Sequence, residues 1–221
     1  MTLKNLVKIC GKQAPKKAVI MLHGYGSNAD SMMNLVQDLY VDNTIFIAAN
    51  APQNWPFDNE GFQWFSLPED RAKLLEPKLW YDGLVGAGDV VEGFILSMAL
   101  QYSIPTSNIV LFGFSQGAFT SLHTAVTITN QLAGVIAFSG GFFPQPAISK
   151  SIISSPQVVL FHGSADDVVP CEMSIEAQKA LAKHCNIDAK LHIIEGMWHG
   201  VSKEARTMLN LEINNLLSEC R

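Results

Sequence analysis

Five residues in the middle of the chain, Gly113-Phe114-Ser115-Gln116-Gly117, have the G-x-S-x-G spacing that presents a serine hydroxyl on a tight turn between a strand and a helix. An apolar run, Ile109-Val110-Leu111-Phe112, leads into them and helix-compatible sequence follows, the context that this motif requires. The two glycines let the chain reverse without a Cβ clash, so Ser115 is expected at an exposed, strained tip. The first peptide N–H groups of the following helix, Gln116 among them, then face any oxyanion formed beside the serine. A serine hydroxyl is a poor nucleophile until a base removes its proton. An imidazole held by a carboxylate is a competent base at neutral pH, so histidine and acid partners are sought further along the chain.

The acid candidates are Asp166 and Asp167 in His162-Gly163-Ser164-Ala165-Asp166-Asp167. Spacing does not separate them, and one of the two is free to cap the following turn. Six histidines compete for the role of base. Of the three after the acids, His184 falls on a predicted helix and His192 inside a predicted strand, whereas His199 lies on a loop after a strand and is the expected base. His23 and His162 each precede a glycine at a strand end and are expected to satisfy loop backbone groups. His123 falls on the helix behind the serine.

Positioning these groups takes a layered scaffold. Apolar runs over 18–22, 44–49, 109–112, 132–138, 157–161 and 189–195 read as buried strands, with a short edge strand within 1–12. Helical patterns follow at about 32–39, capped by Asp30 or Ser31, at 81–102, after Ser115, at 171–184 and at 201–218, the last facing Ala205, Leu209, Ile213, Leu216 and Leu217 inward. Strands alternating with helices predict an α/β fold: a mostly parallel central sheet with helices on both faces and right-handed crossovers. A hydrophobic content of 48% suits a sheet covered on both sides. In such a sheet ligands bind beyond the carboxyl ends of the strands, and each candidate residue follows a strand at that edge. The 221 residues fit one domain, 1–221.

The stretch 50–78 carries four prolines and an unusual density of aromatic residues: Trp55, Phe57, Phe62, Trp64 and Phe65, with Trp80 and Tyr81 just beyond. Two readings stand side by side, an apolar wall over the site suited to an acyl chain and a set of anchors to the core. The same loop serves a homodimer interface as readily as a groove. Gly86-Ala87-Gly88 is no dinucleotide fingerprint, because no strand precedes it and the third glycine is missing; close helix packing explains it more simply.

A net charge of −5 with dispersed basic residues leaves no footprint for nucleic acid. Cys10, Cys171, Cys185 and Cys220 lie far apart, which points to reduced thiols with neither metal site nor redox pair. No secretory signal and no run near the ~18–20 apolar residues of a membrane span is read, so a cytoplasmic location is expected.

With these motifs in hand, the chain resembles the phospholipase/carboxylesterase family of α/β-hydrolases, which includes acyl-protein thioesterases and small bacterial carboxylesterases. The resemblance runs from about Lys17 to the C-terminus. It rests on His23-Gly24-Tyr25-Gly26, Gln63-Trp64-Phe65-Ser66, the serine motif, His162-Gly163-x-x-Asp166-x-x-Val169-Pro170 and Gly196-Met197-Trp198-His199. It implies an α/β-hydrolase fold without a large cap domain and the chain order nucleophile, acid, histidine. It also implies Asp166 as the acid and the N–H of Tyr25 as a second oxyanion donor beside that of Gln116. From the aromatic loop Trp64 and Phe65 are expected at the substrate, and neither metal nor cofactor is expected. Ala118 stands where many relatives have glycine, Gln63 where many have arginine, and Trp198 at a site often small.

The expected activity is that of a serine esterase cleaving carboxylic esters or thioesters through Ser115, His199 and Asp166 and an acyl-enzyme, on small-molecule or lipid ester substrates. Lysophospholipase and acyl-protein thioesterase activities need the same groups. The reading from another class is a non-catalytic ligand binder on the same fold.

Overall fold

The computed structural model describes residues 3–68, 70, 73, 76–144 and 154–218. Cys220 and part of the aromatic loop lie outside the described residues. Seven strands form the central sheet: β1 (Asn5–Cys10), β2 (Lys17–Leu22), β3 (Thr44–Ala49), β6 (Ile109–Phe114), β7 (Gly134–Phe138), β8 (Gln157–Gly163) and β9 (Lys190–Ile194), in the order β1-β3-β2-β6-β7-β8-β9. Only β1 runs antiparallel, as an edge strand on β3, and every other pairing is parallel.

Alternation along the strands divides the core into two layers. Ala18, Ile20 and Leu22 of β2 face helices α2 (Tyr81–Tyr102), α3 (Gln116–Thr127) and α4 (Glu172–Cys185), while Val19 and Met21 face α1 (Ala29–Val36) and α5 (Lys203–Ser218). This is the α/β-hydrolase architecture. The inward set of α5 is buried as its periodicity predicts, and Glu212 is buried with it, paired with Lys190 at 2.5 Å and His192 at 2.9 Å. The connection after β3 carries two-residue strands, β4 (Gln53–Asn54) and β5 (Phe62–Gln63), and a 3₁₀ turn at Pro77–Leu79.

Three local expectations change. The cap of α1 is neither Asp30 nor Ser31 but Asn28, whose Oδ1 accepts the Ser31 N–H at 3.1 Å; the helix begins earlier than its apolar stripe. In α2, Gly88 lies against the His123 ring of α3, close enough that a Cβ would overlap it, whereas Gly86 has nothing near it, so close packing accounts for only one of the two glycines. Finally, α2 is long and apolar enough by composition to cross a membrane, with a mean hydropathy of 1.5 over its window. Its Leu84, Ala87, Gly88, Val91, Phe94, Ile95 and Met98 face is packed on the sheet, the burial a core helix requires.

Candidate active site

Strand register decides which loops meet. Leu22 pairs with Gly113, so the His23-Gly24-Tyr25 loop leaves β2 directly beside the turn at Ser115. Phe138 pairs with both Phe114 and Phe161, and Gly163 with Ile194, which brings the loops after β7, β8 and β9 to the same edge.

At the turn Ser115 has φ 52° and ψ −117°, a conformation that costs a non-glycine residue of order 1–3 kcal/mol and is held by its surroundings. The flanking glycines are required by contact. A Cβ at 113 would strike the Gly117 carbonyl and the Ser121 hydroxyl, and one at 117 would strike the carbonyls of Leu22 and His23. Backbone cannot yield as a side chain can. Gly117→Ala is therefore expected to cost about 3 kcal/mol or more, read as a lowered urea midpoint, or to leave the protein insoluble.

A line of hydrogen bonds crosses the edge. Ser115 Oγ lies 3.1 Å from His199 Nε2, and His199 Nδ1 lies 2.8 and 3.0 Å from the two carboxylate oxygens of Asp166. With Nδ1 donating to the carboxylate, Nε2 is the free lone pair facing the hydroxyl, the tautomer in which an imidazole can take a proton from serine. The ring of Phe114, 4.9 Å away between centroids, backs the imidazole. The Asp166 side chain has no solvent exposure. Burial alone would raise its pKa, but bonds from His199 and from the N–H groups of Val169 and Val168 outweigh that and hold it below the ordinary carboxylate value. Asp166 thus both faces the imidazole and caps its own turn, while Asp167 is exposed.

The other histidines fall elsewhere. His192 is taken up by Glu212, and His184 is exposed on α4. His23 sits between the Gly24 carbonyl, 2.7 Å from Nδ1, and the Ala51 N–H, 3.0 Å from Nε2. His162 binds the Val169 carbonyl at 2.8 Å. Both serve loop backbone as expected, and His162 in addition places its Nε2 3.4 Å from Asp166 Oδ2, the oxygen that also meets His199.

The peptide N–H groups of Tyr25 and Gln116 engage no hydrogen bond among the described residues. Trp64 and Phe65 are not brought to an open groove wall. Each is 1% exposed, and Phe65 stacks on Trp80 at 5.5 Å, so of the two readings of these rings the anchoring one describes their place. Apolar surface at the edge comes instead from Phe57, Val168 and Trp198, 67, 62 and 65% exposed, with Trp55 between Tyr25 and Phe57.

Comparison with known proteins bears on the same assembly of loops. The family model described as Phospholipase/Carboxylesterase matches residues 3–214. The chain belongs to this family. It is an ester hydrolase of the α/β-hydrolase fold. Among its relatives is an acyl-protein thioesterase 1 from Candida albicans, 28% identical over 220 residues that cover 92% of this chain and 94% of that protein. The crystal structure of esterase PE8 is 31% identical, covers 98% of this chain and 100% of its own, and superposes with a TM-score of 0.90. A phospholipase/carboxylesterase structure from Dyadobacter fermentans is 25% identical, with 96 and 98% coverage and a TM-score of 0.69.

Proposed function

We infer that the chain is a single-domain serine hydrolase in which Ser115 attacks an acyl carbonyl and His199 takes the hydroxyl proton and returns it to the leaving group. Asp166 fixes the tautomer of His199 and stabilises the imidazolium, and the N–H groups of Gln116 and Tyr25 bind the oxyanion. Water then repeats the cycle on the acyl-enzyme. The observation that carries this reading is the unbroken line from Asp166 through His199 to Ser115, at 2.8 and 3.1 Å. Substrates are acyl esters or thioesters of small molecules or lipids, met in the cytoplasm. The exposed apolar side chains at the mouth support an acyl chain of some length, and the acyl-protein thioesterase relatives add thioesters to the candidates.

The test is hydrolysis of p-nitrophenyl esters from acetate to palmitate, with phosphonate labelling mapped to a peptide. Labelling at Ser115 with turnover peaking at medium or long chains is the expected outcome. A folded protein that neither hydrolyses any ester nor takes the label would make it a ligand binder on this fold. The two neighbouring acids give a sharper contrast. Asp166→Asn retains acceptors for the Val168 and Val169 N–H groups but presents an amide to His199, so kcat is expected to fall by roughly 10³- to 10⁴-fold. Asp167→Asn, at an exposed position, is expected to stay within about twofold in kcat/KM.

A further inference from the structure

Gln116 is the residue after the nucleophile, and its backbone N–H has been assigned to the oxyanion hole. Its side chain, however, points away from solvent. The residue is 3% exposed, and its carboxamide pairs with the main chain of the aromatic loop at two points: Oε1 accepts the Trp64 N–H at 2.9 Å and Nε2 donates to the Phe65 carbonyl at 2.7 Å. A buried carboxamide satisfied on both ends by fixed backbone has one available orientation.

The same loop segment reaches the other donor. The indole N–H of Trp64 donates to the His23 carbonyl at 2.9 Å, two residues before Tyr25. On the far side of Tyr25, Gly26 N–H donates to the Phe62 carbonyl at 2.9 Å and Phe62 N–H to the Ser27 carbonyl at 2.8 Å. His23 is held in turn by the Ala51 N–H and stacks obliquely on Trp64, with centroids 5.5 Å apart. The four residues from Phe62 to Phe65 therefore grip the turn at Gln116 on one side and the Tyr25 loop on both of its flanks. No direct hydrogen bond joins the Tyr25 peptide to the Gln116 peptide among the described residues.

We propose that Trp64 and the Gln116 carboxamide are positioning residues that set the separation of the two oxyanion donors. The inference rests on the oxyanion hole of the proposed function and adds the device that gauges it. A rigid gauge is needed because donors must meet the oxyanion at hydrogen-bond distance without reorganising during the reaction, and misplacement by about 1 Å can cost on the order of 10² in rate. The gauge also gives Trp64 a role that its burial otherwise hides: it acts on the chemistry through two hydrogen bonds without touching substrate.

Gln116→Met keeps the length and volume of the side chain while removing both bonds. Its kcat for p-nitrophenyl butyrate is expected to fall roughly 10²-fold, with KM within about threefold of wild type. The affinity for a trifluoromethyl ketone, which forms a tetrahedral adduct in the hole, should fall in parallel with kcat/KM. Trp64→Phe, which removes only the indole N–H and a little ring volume, is expected to do the same to a lesser degree, and it decides the matter if circular dichroism finds Gln116→Met unfolded. A folded variant with kcat within about threefold of wild type, or one with raised KM and unchanged kcat and ketone affinity, overturns the gauge. Ser115→Ala, assayed beside them, separates the two levels: if that variant hydrolyses the ester at the wild-type rate, the serine mechanism itself has failed; if it is inactive, the result speaks to the gauge alone.

Discussion

Ser115→Ala is expected to fold like the wild type and to lose ester hydrolysis by roughly 10⁴- to 10⁶-fold in kcat. The size follows from what is removed. Alanine keeps the Cβ, so the turn at φ 52° carries no new clash and the strain already present is unchanged. The loss is one hydroxyl, with its 3.1 Å contact to His199 Nε2. Without a nucleophile the remaining groups do not form an acyl-enzyme, and what survives is the attack of water aided by the donors of Tyr25 and Gln116, a residual of about 10³ over the uncatalysed rate. Removing the base from the same relay should cost a similar factor, and removing both should cost little more, because residues acting as one unit do not add. Steady-state rates with p-nitrophenyl butyrate for Ser115→Ala, His199→Ala and the double variant, with urea unfolding as the control for folding, check this. A Ser115→Ala enzyme with more than about 10% of wild-type turnover would overturn the assignment of the nucleophile.

What was legible in the sequence follows from where each signal resides. The parallel sheet was legible because buried strands read as unbroken apolar runs, and the serine motif because its glycines answer a backbone collision that only a residue without Cβ escapes. The association of Ser115 with His199 followed from the fold, since both lie on loops at the carboxyl edge. Asp166 and Asp167 could not be separated by spacing, because adjacent residues in a turn point in different directions and only the partner's position tells which one turns inward. Trp64 and Phe65 show the same limit: aromatic content marks a loop as tied to something apolar, yet whether a ring faces the core or a groove is decided by the elements it meets. The cap at Asn28 and the clamp of Gln116 were hidden for a related reason. Each is a side chain bonding backbone, Asn28 just ahead of the apolar stripe and Gln116 across some fifty residues of sequence, in a motif position whose side chain carries no requirement of its own.

Acid should weaken this protein well above the pH at which carboxylates protonate. His23 is fully buried, and burial, only partly offset by its bond to the Gly24 carbonyl, lowers its pKa from 6.5 to about 4. The tautomer explains why a proton is unwelcome. Nδ1 must donate to that carbonyl and Nε2 must accept the Ala51 N–H, so a proton on Nε2 would set two N–H groups against each other. His123 is buried between α2 and α3, its Nδ1 without a hydrogen-bond partner among the described residues, and burial, opposed by the charge of Asp89, likewise takes it to about 4. His162 shifts in the same direction, again through burial. For each ring the unfolded chain binds a proton below about 6.5 while the folded protein resists it, so stability is whole above that pH and declines as pH falls toward 4. Over that interval His23 and His123 together contribute a loss of up to about 6 kcal/mol, a large part of the 5–15 kcal/mol typical of a domain. Urea titrations at pH 7.5, 5.5 and 4.5 should give a falling midpoint, and His123→Gln should show a shallower decline than the wild type even if it begins from a lower value. A midpoint that stays level from pH 7.5 to 4.5 would mean that these imidazoles take up protons in the folded state, through an opening of the Ala51 bond or of the α2–α3 contact at Gly88. Asp166 and Glu212 act later. Their pKa values are held low in the folded protein, so the stability they supply is intact above the ordinary carboxylate range and is lost progressively as pH falls from that range to the lowered values. The buried imidazoles and the paired carboxylates therefore give way in sequence, and the first loss is the one the urea series detects.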